Sequence, residues 1–221
     1  MEKGKMQSVV RVSHVGLKIG KATILQDICM EMEEGHIYGF VGRNGSGKTM
    51  LMKCICGFIH VTDGEITVRG RRVGTDMDFP QDMGIIIENP GFITYYSGRK
   101  NLRLLADVNH KIGEKEICEA MELVGLDPDS RLHVGKYSLG MRQRLGLAQA
   151  LMEDPSLLIL DEPMNGLDTQ GVEDVRKILK GLREQGKTII MASHNMEDIE
   201  HLCDKVWRLE HGQIISTEEK K

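Results

Sequence analysis

Apolar and polar side chains alternate along residues 9–19 and again along 23–32, the period-two pattern of two antiparallel strands. Residues 36–41 form a short apolar run that ends in a glycine-rich loop, and a helix is expected from about 47 to 57. Further short apolar runs at 65–68 and 84–87 read as strands, separated by a loop rich in glycine and aspartate. The character changes after Pro90. From about 97 to 154 the apolar spacing is helical, with breaks near Gly113, at 125–129 and near Gly135. Strand and helix then alternate at 157–160, 172–184, 188–192 and 196–203. A closing hairpin, 206–210 and 213–215, is joined by His211 and Gly212. Strands that are apolar throughout, interleaved with helices, imply a mainly parallel sheet covered on both faces. The helical middle is an insertion into that α/β core. Only the first few residues and the 217–221 tail are expected to be loose.

A chain of 221 residues suffices for one domain with a real core, and 40% hydrophobic against 28% charged residues is the balance of a soluble globular protein. The net charge of −4 argues against a nucleic-acid partner, which usually calls for a basic surface. No stretch approaches the roughly 18–20 apolar residues needed to cross a bilayer. The N-terminus carries charge but no apolar secretory segment. A cytoplasmic protein is expected, one that serves a membrane only by docking onto something that spans it. The five cysteines, Cys29, Cys54, Cys56, Cys118 and Cys203, are odd in number and lack framework spacing, so reduced thiols are expected. Cys54 and Cys56 have no partner pair at zinc-site spacing and read as small apolar residues on a helix.

Gly42, Arg43, Asn44, Gly45, Ser46, Gly47, Lys48 and Thr49 fit the phosphate-binding loop G-x-x-x-x-G-K-[ST]. The glycines let the backbone turn tightly and aim several N–H groups at phosphate oxygens, and the helix that follows adds its positive N-terminal end. Lys48 places an ammonium between the β- and γ-phosphates, and the Thr49 hydroxyl ligates a Mg²⁺ ion bridging the same phosphates. The preceding apolar strand and the following helix supply the context that this chemistry requires.

Such a loop needs a second strand with acid groups, and residues 157–160 lead directly into Asp161, Glu162 and Pro163. Ligands bind at that edge of open α/β sheets. Asp161 is expected to reach Mg²⁺ through water, and Glu162 to face the γ-phosphate and polarise the attacking water as general base. His194 follows Ser193 at the end of the next apolar run. Its imidazole is either a solvated strand end or a contact to Glu162 and the γ-phosphate. Ser138 is placed to cap a helix whose N–H groups would face an anion, and the plain alternative is an ordinary capped amphipathic helix.

The motifs run in the order phosphate loop, helical middle, the segment from Tyr137 through Ser138, Leu139 and Gly140 to Ala148, the Asp161-Glu162 strand, the segment from Asn165 to Asp168, and His194. That order and spacing resemble the ABC transporter ATPases across essentially the whole chain. The resemblance implies an α/β fold with a P-loop NTPase (RecA-like) core, N-terminal antiparallel β strands and an inserted helical subdomain. It implies one ABC ATPase domain over residues 1–221, with its core at 1–90 and 155–217 and its insertion at about 91–154. By resemblance, ATP and Mg²⁺ are the cofactors. Ser138 and Gly140 act on ATP held by Lys48 of a second ATPase subunit, and the loop that includes Asp168 crosses between the two. A membrane-spanning permease is the other implied partner, with the protein peripheral on the inner face of the cell membrane.

The segment Ile87, Glu88, Asn89, Pro90, Gly91, Phe92 is similar to that of the ATPases of bacterial antimicrobial-peptide resistance or export, such as bacitracin and lantibiotic immunity transporters. Most of the family has Gln where Glu88 stands. A carboxylate there can still ligate Mg²⁺ but adds repulsion toward phosphate. Leu139 and Met141 depart from the usual signature glycine and glutamine. Ile19 stands where many members stack an aromatic on adenine, which implies dispersion in place of π-stacking. Pro90, Phe92, Tyr95 and Tyr96 either form the groove that receives a short helix of the permease or pack the core against the helical middle. Two other functions fit the same motifs: a weakly hydrolysing, nucleotide-gated regulatory subunit, and a soluble ABC ATPase acting on nucleic acid or ribosomes.

Overall fold

The computed structural model describes residues 8–88 and 90–220. The expectation of a loose N-terminus falls on residues 1–7, outside that range. Two long strands open the chain, β1 (Ser8–Ile19) and β2 (Ala22–Glu33), followed by β3 (Ile37–Val41), α1 (Lys48–Ile55), β4 (Asp63–Val68), β5 (Arg71–Arg72) and β6 (Met83–Ile86). Three helices come next, α2 (Gly98–Asn109), α3 (Glu114–Leu123) and α4 (Leu139–Leu151). The chain ends with β7 (Leu157–Asp161), α5 (Thr169–Glu184), β8 (Thr188–Ala192), α6 (Met196–Leu202), β9 (Lys205–Glu210) and β10 (Gln213–Glu219).

The strands form two sheets. Antiparallel β2, β1, β4 and β5 make one, and the other has the order β10-β9-β3-β8-β7-β6. Every pairing in the second is parallel except the β9–β10 hairpin. Its central strands, β3 and β8, are buried at every position, as a doubly covered parallel sheet demands. The period of two divides the core. Leu158, Leu160, Ile189 and Met191 pack on one side with residues of α2, α3, α4, α5 and α6. Leu157, Ile159, Ile190 and Ala192 pack on the other with α1 and the antiparallel sheet.

Most boundaries fall within a few residues of expectation, and three differences have a clear physical cause. The polar residues Thr217, Glu218 and Glu219 are not loose. They extend β10 against Trp207, Val206 and Lys205, because a ladder is made by backbone groups whatever the side chains. Helix α5 begins three residues early, at Thr169, because the Asp168 carboxylate accepts from the Gly171 N–H at 2.9 Å and caps it. The two-residue β5 was not expected, since it is too short to carry a periodic signal. Cys54 and Cys56 are buried in the core, where loss of hydration pushes both thiols up to about 12. They are packing residues, as expected.

Candidate active site

The loop from Gly42 to Gly47 lies between β3 and α1, so the chain emerges from the sheet and turns directly into a helix N-terminus. Gly47 makes that turn. Its φ of 106° is a conformation that side chains oppose, and a Cβ there would sit 2.8 Å from Leu25. A second brace comes from the far end of the chain. Gly212, in the β9–β10 turn, donates its N–H to the Ser46 carbonyl at 3.1 Å and accepts from the Gln26 N–H at 2.8 Å. The loop is thus tied to both β2 and the closing hairpin. Lys48 is buried and folds back over the loop, donating to the carbonyls of Gly42 at 2.7 Å and Arg43 at 3.2 Å. Among the described residues, Ser46 Oγ is a buried side-chain oxygen with no hydrogen-bond partner, an open valence inside the cradle.

Asp161 and Glu162 stand at the end of β7 and complete the wall of a cavity of about 420 Å³. Asn44, Gly45, Ser46, Gly47, Lys48 and Thr49 also line it, with Ile24 and Met50. The Thr49 hydroxyl donates to Asp161 Oδ2 at 2.6 Å. Two hard oxygen donors side by side in the cavity wall suit a Mg²⁺ ion. Glu162 has a φ of 51°, a strained left-handed backbone of the kind found at functional positions. Its N–H donates to the Ala192 carbonyl at 2.9 Å, so the chain stays attached to the end of β8. That attachment brings His194 within reach, and its Nδ1 is hydrogen-bonded to Glu162 Oε2 at 2.8 Å.

Ser138 and Gly140 do not line this cavity. Ser138 caps α4, accepting from the Met141 N–H at 3.1 Å, and Gly140 sits beside the loop that holds Gly166 and Leu167. Ser138 and Leu139 are exposed. Farther along α4, the Gln143 amide donates to the Glu162 carbonyl at 3.1 Å, a link that no sequence signal indicated. Ile19 is half exposed at the end of β1 and also lies outside the cavity lining. Ile24 and Met50 are the larger apolar side chains that do line it, and alternation within β2 made Ile24 indistinguishable from a packing residue. Glu88 is not in the cavity lining; its carboxylate is exposed and pairs with Lys53 of α1 at 2.6 Å.

A family model described as ABC transporter matches residues 25–165, from β2 through the phosphate loop and α4 to the acid strand. The chain belongs to the ABC transporter family. An uncharacterized ABC transporter ATP-binding protein of Bacillus subtilis (YybJ) is 40% identical over 95% of this chain and 96% of that protein. A bacitracin transport ATP-binding protein of Enterococcus faecalis (BcrA) is 37% identical over 95% of this chain and 69% of its own. A lantibiotic transport ATP-binding protein of Streptococcus pyogenes (SrtF) is 35% identical over 96% and 91%. The fold matches a dimeric, post-hydrolysis ATP-binding cassette bound to ADP and Pi, with TM-score 0.86 and 21% identity over 96% of this chain and 99% of that one.

This protein is thus the ATP-binding subunit of an ABC transporter, and its enzymatic class is that of an ATPase. The ABC ATPase also carries an apolar groove, about 500 Å³, between the β6 edge and α2, lined by Phe58, Ile87, Pro90, Leu105, Val108 and Met152. Phe58 and Val108 are largely exposed there. Of the four residues that sequence singled out in this region, Pro90 lines the groove and Phe92 packs on the core. Tyr95 is exposed and meets Tyr96 edge-on at 4.8 Å. No helix among the described residues is long and apolar enough to cross a membrane.

Proposed function

We propose that the chain binds Mg²⁺-ATP in the Gly42–Thr49 cradle and hydrolyses it with Glu162 as general base, closing on each turnover against a second ATPase subunit. The observation that carries this reading is the Glu162–His194 hydrogen bond at 2.8 Å, on the rim of a cavity whose floor is the phosphate loop. An ionised Glu162 held by an imidazole can accept a proton from water, while His194 keeps the carboxylate aimed. Lys48 exchanges its two loop carbonyls for phosphate oxygens when a nucleotide enters. Thr49 and Asp161 are the residues that would hold Mg²⁺, which supplies charge neutralisation of the phosphates. Glu88 pairs with Lys53 and takes no part in holding the metal in this reading.

Ser138, exposed at the start of α4, and half-buried Gly140 are absent from the cavity of their own chain and close the cavity of a partner subunit. Asp168 contributes by shaping the loop beside them. A membrane-spanning permease supplies the transport path, docking a short helix in the Phe58–Val108 groove and holding the ATPase on the inner face of the cell membrane. Likeness to the bacitracin and lantibiotic transport ATPases makes peptide-antibiotic export or immunity the proposed task.

Glu162→Gln is the decisive test. Incubated with Mg²⁺-ATP, this variant is expected to accumulate as an ATP-bound dimer on size exclusion while hydrolysis stops. Normal turnover by Glu162→Gln would remove Glu162 from the role of base. Deleting the gene and its neighbouring permease is expected to raise susceptibility to bacitracin or lantibiotics, and unchanged susceptibility to both would overturn the proposed task alone.

A further inference from the structure

Away from the nucleotide cavity, two of the four register shifts in the β1–β2 ladder are consecutive and lie on opposite strands. The register passes from Val12 opposite Met30 to Val15 opposite Ile28, so Ser13 and His14 together oppose Cys29. It then passes to Leu17 opposite Leu25, so Gln26 and Asp27 together oppose Gly16. Each is a bulge, one on each strand, of the kind that re-aims side chains. His14 and Asp27 both take left-handed backbone, with φ of 50° and 51°, a strained state for residues other than glycine. The result is a cluster on the solvent face of the sheet. His14 Nδ1 lies 2.7 Å from Asp27 Oδ1, the His14 N–H donates to Cys29 Sγ at 3.2 Å, and the imidazole, carboxylate and thiol ligand atoms all lie within 4.8 Å of one another.

We propose that His14, Asp27 and Cys29 form a binding site for a divalent transition-metal ion, with Zn²⁺ the ion best suited to the donor set. One nitrogen, one oxygen and one sulfur donor match its borderline character. Bonds of roughly 2.0–2.3 Å place tetrahedral donors about 3.3–3.8 Å apart, so the widest pair must close by about 1 Å while the 2.7 Å His14–Asp27 pair opens by about 0.6 Å. The N–H of His14 on Cys29 Sγ orients the sulfur, the outer support that metal ligands commonly have. Three protein donors leave one position open for water. The ion would clamp β1 to β2 across the bulges, on the strand that also carries Ile24 to the nucleotide cavity. Cys29 is the exposed one of the five cysteines; Cys54, Cys56 and Cys203 are buried and Cys118 is half-buried, so a thiolate signal in the folded protein reports this site.

The test is a Co²⁺ titration of the full chain, reduced and free of nucleotide, followed by Zn²⁺ competition. One equivalent of Co²⁺ is expected to bind with a sulfur-to-cobalt charge-transfer band that Zn²⁺ abolishes. Cys29→Ser is expected to remove the band, and His14→Gln and Asp27→Asn to weaken binding at least about tenfold. Circular dichroism and ATP binding of all three variants should match the parent. Absence of the band in the parent protein, or unchanged affinity in Cys29→Ser, would overturn the site.

Discussion

Arg176 of α5 and Asp198 of α6 make a buried ion pair whose removal has a calculable effect. The guanidinium donates through Nε at 3.1 Å and Nη2 at 2.6 Å to one oxygen of Asp198, and both side chains are almost fully buried, at 8% and 4% exposure. Asp198→Ala leaves the Arg176 charge without its main partner. Breaking a buried pair from one side costs about 3–5 kcal/mol. Here Glu173 at 2.7 Å and Glu197 at 3.4 Å remain as half-exposed substitutes, which lowers the expected loss to about 2–3 kcal/mol. For a chain of this size that is a fall in Tm of about 4–12 °C. The double variant Arg176→Met with Asp198→Leu removes both charges and fills the space, so it is expected to recover most of the stability. Urea unfolding and thermal scans, in the absence of ATP to exclude ligand stabilisation, check both expectations. If the double variant is no more stable than Asp198→Ala alone, the stranded-charge argument is wrong. The outcome bears on catalysis too, because α6 begins just after His194 and its position depends on this pair.

Three other substitutions probe the frame and the site. Gly212→Ala forces an alanine into φ 76° with its Cβ 2.2 Å from the Ile24 carbonyl, so a loss of about 2 kcal/mol or more and weaker ATP binding are expected. Unchanged unfolding midpoint and ATP affinity would show that the hairpin turn does not brace the phosphate loop. Burial by itself would raise the Asp82 carboxyl, but the Ser156 hydroxyl and N–H, with Arg69 and Lys187, outweigh it and hold the group below the usual carboxylate value. A lowered folded-state pKa contributes stability above the unfolded value near 3.9 that is lost as pH falls through the folded one. Asp82→Asn should therefore flatten the acid limb of a stability–pH curve below about pH 4, and an unaltered limb would refute that linkage. Glu88→Gln breaks an exposed pair with Lys53, so stability should change by less than about 1 kcal/mol and ATP turnover by less than about tenfold. A larger loss of turnover would mean that the carboxylate leaves Lys53 to reach the nucleotide.

Local chemistry made much of this protein legible from sequence. Glycine spacing with Lys48 and Thr49 specifies a cradle because few other residues tolerate that backbone or bind phosphate. The apolar runs before Asp161 and His194 specify buried parallel strands, because only a sheet covered on both faces accepts apolar side chains at successive positions. Ser138 as a helix cap was equally readable, since capping is decided within four residues.

What depended on the tertiary structure is everything set by which elements become neighbours. His194 touches Glu162 because β7 and β8 are paired, and pairing is a property of the sheet that neither strand encodes alone. The Thr217–Glu219 segment became strand through backbone bonds to β9, invisible to a reading of side chains. The Gln143 bond to Glu162, the Lys53 claim on Glu88 and the gathering of His14, Asp27 and Cys29 by two bulges share that origin. Sequence determines which groups are available and which conformation each short segment prefers. Contacts between residues far apart in the chain depend on the packing that buries the apolar faces, and that is settled only when all of them are buried together.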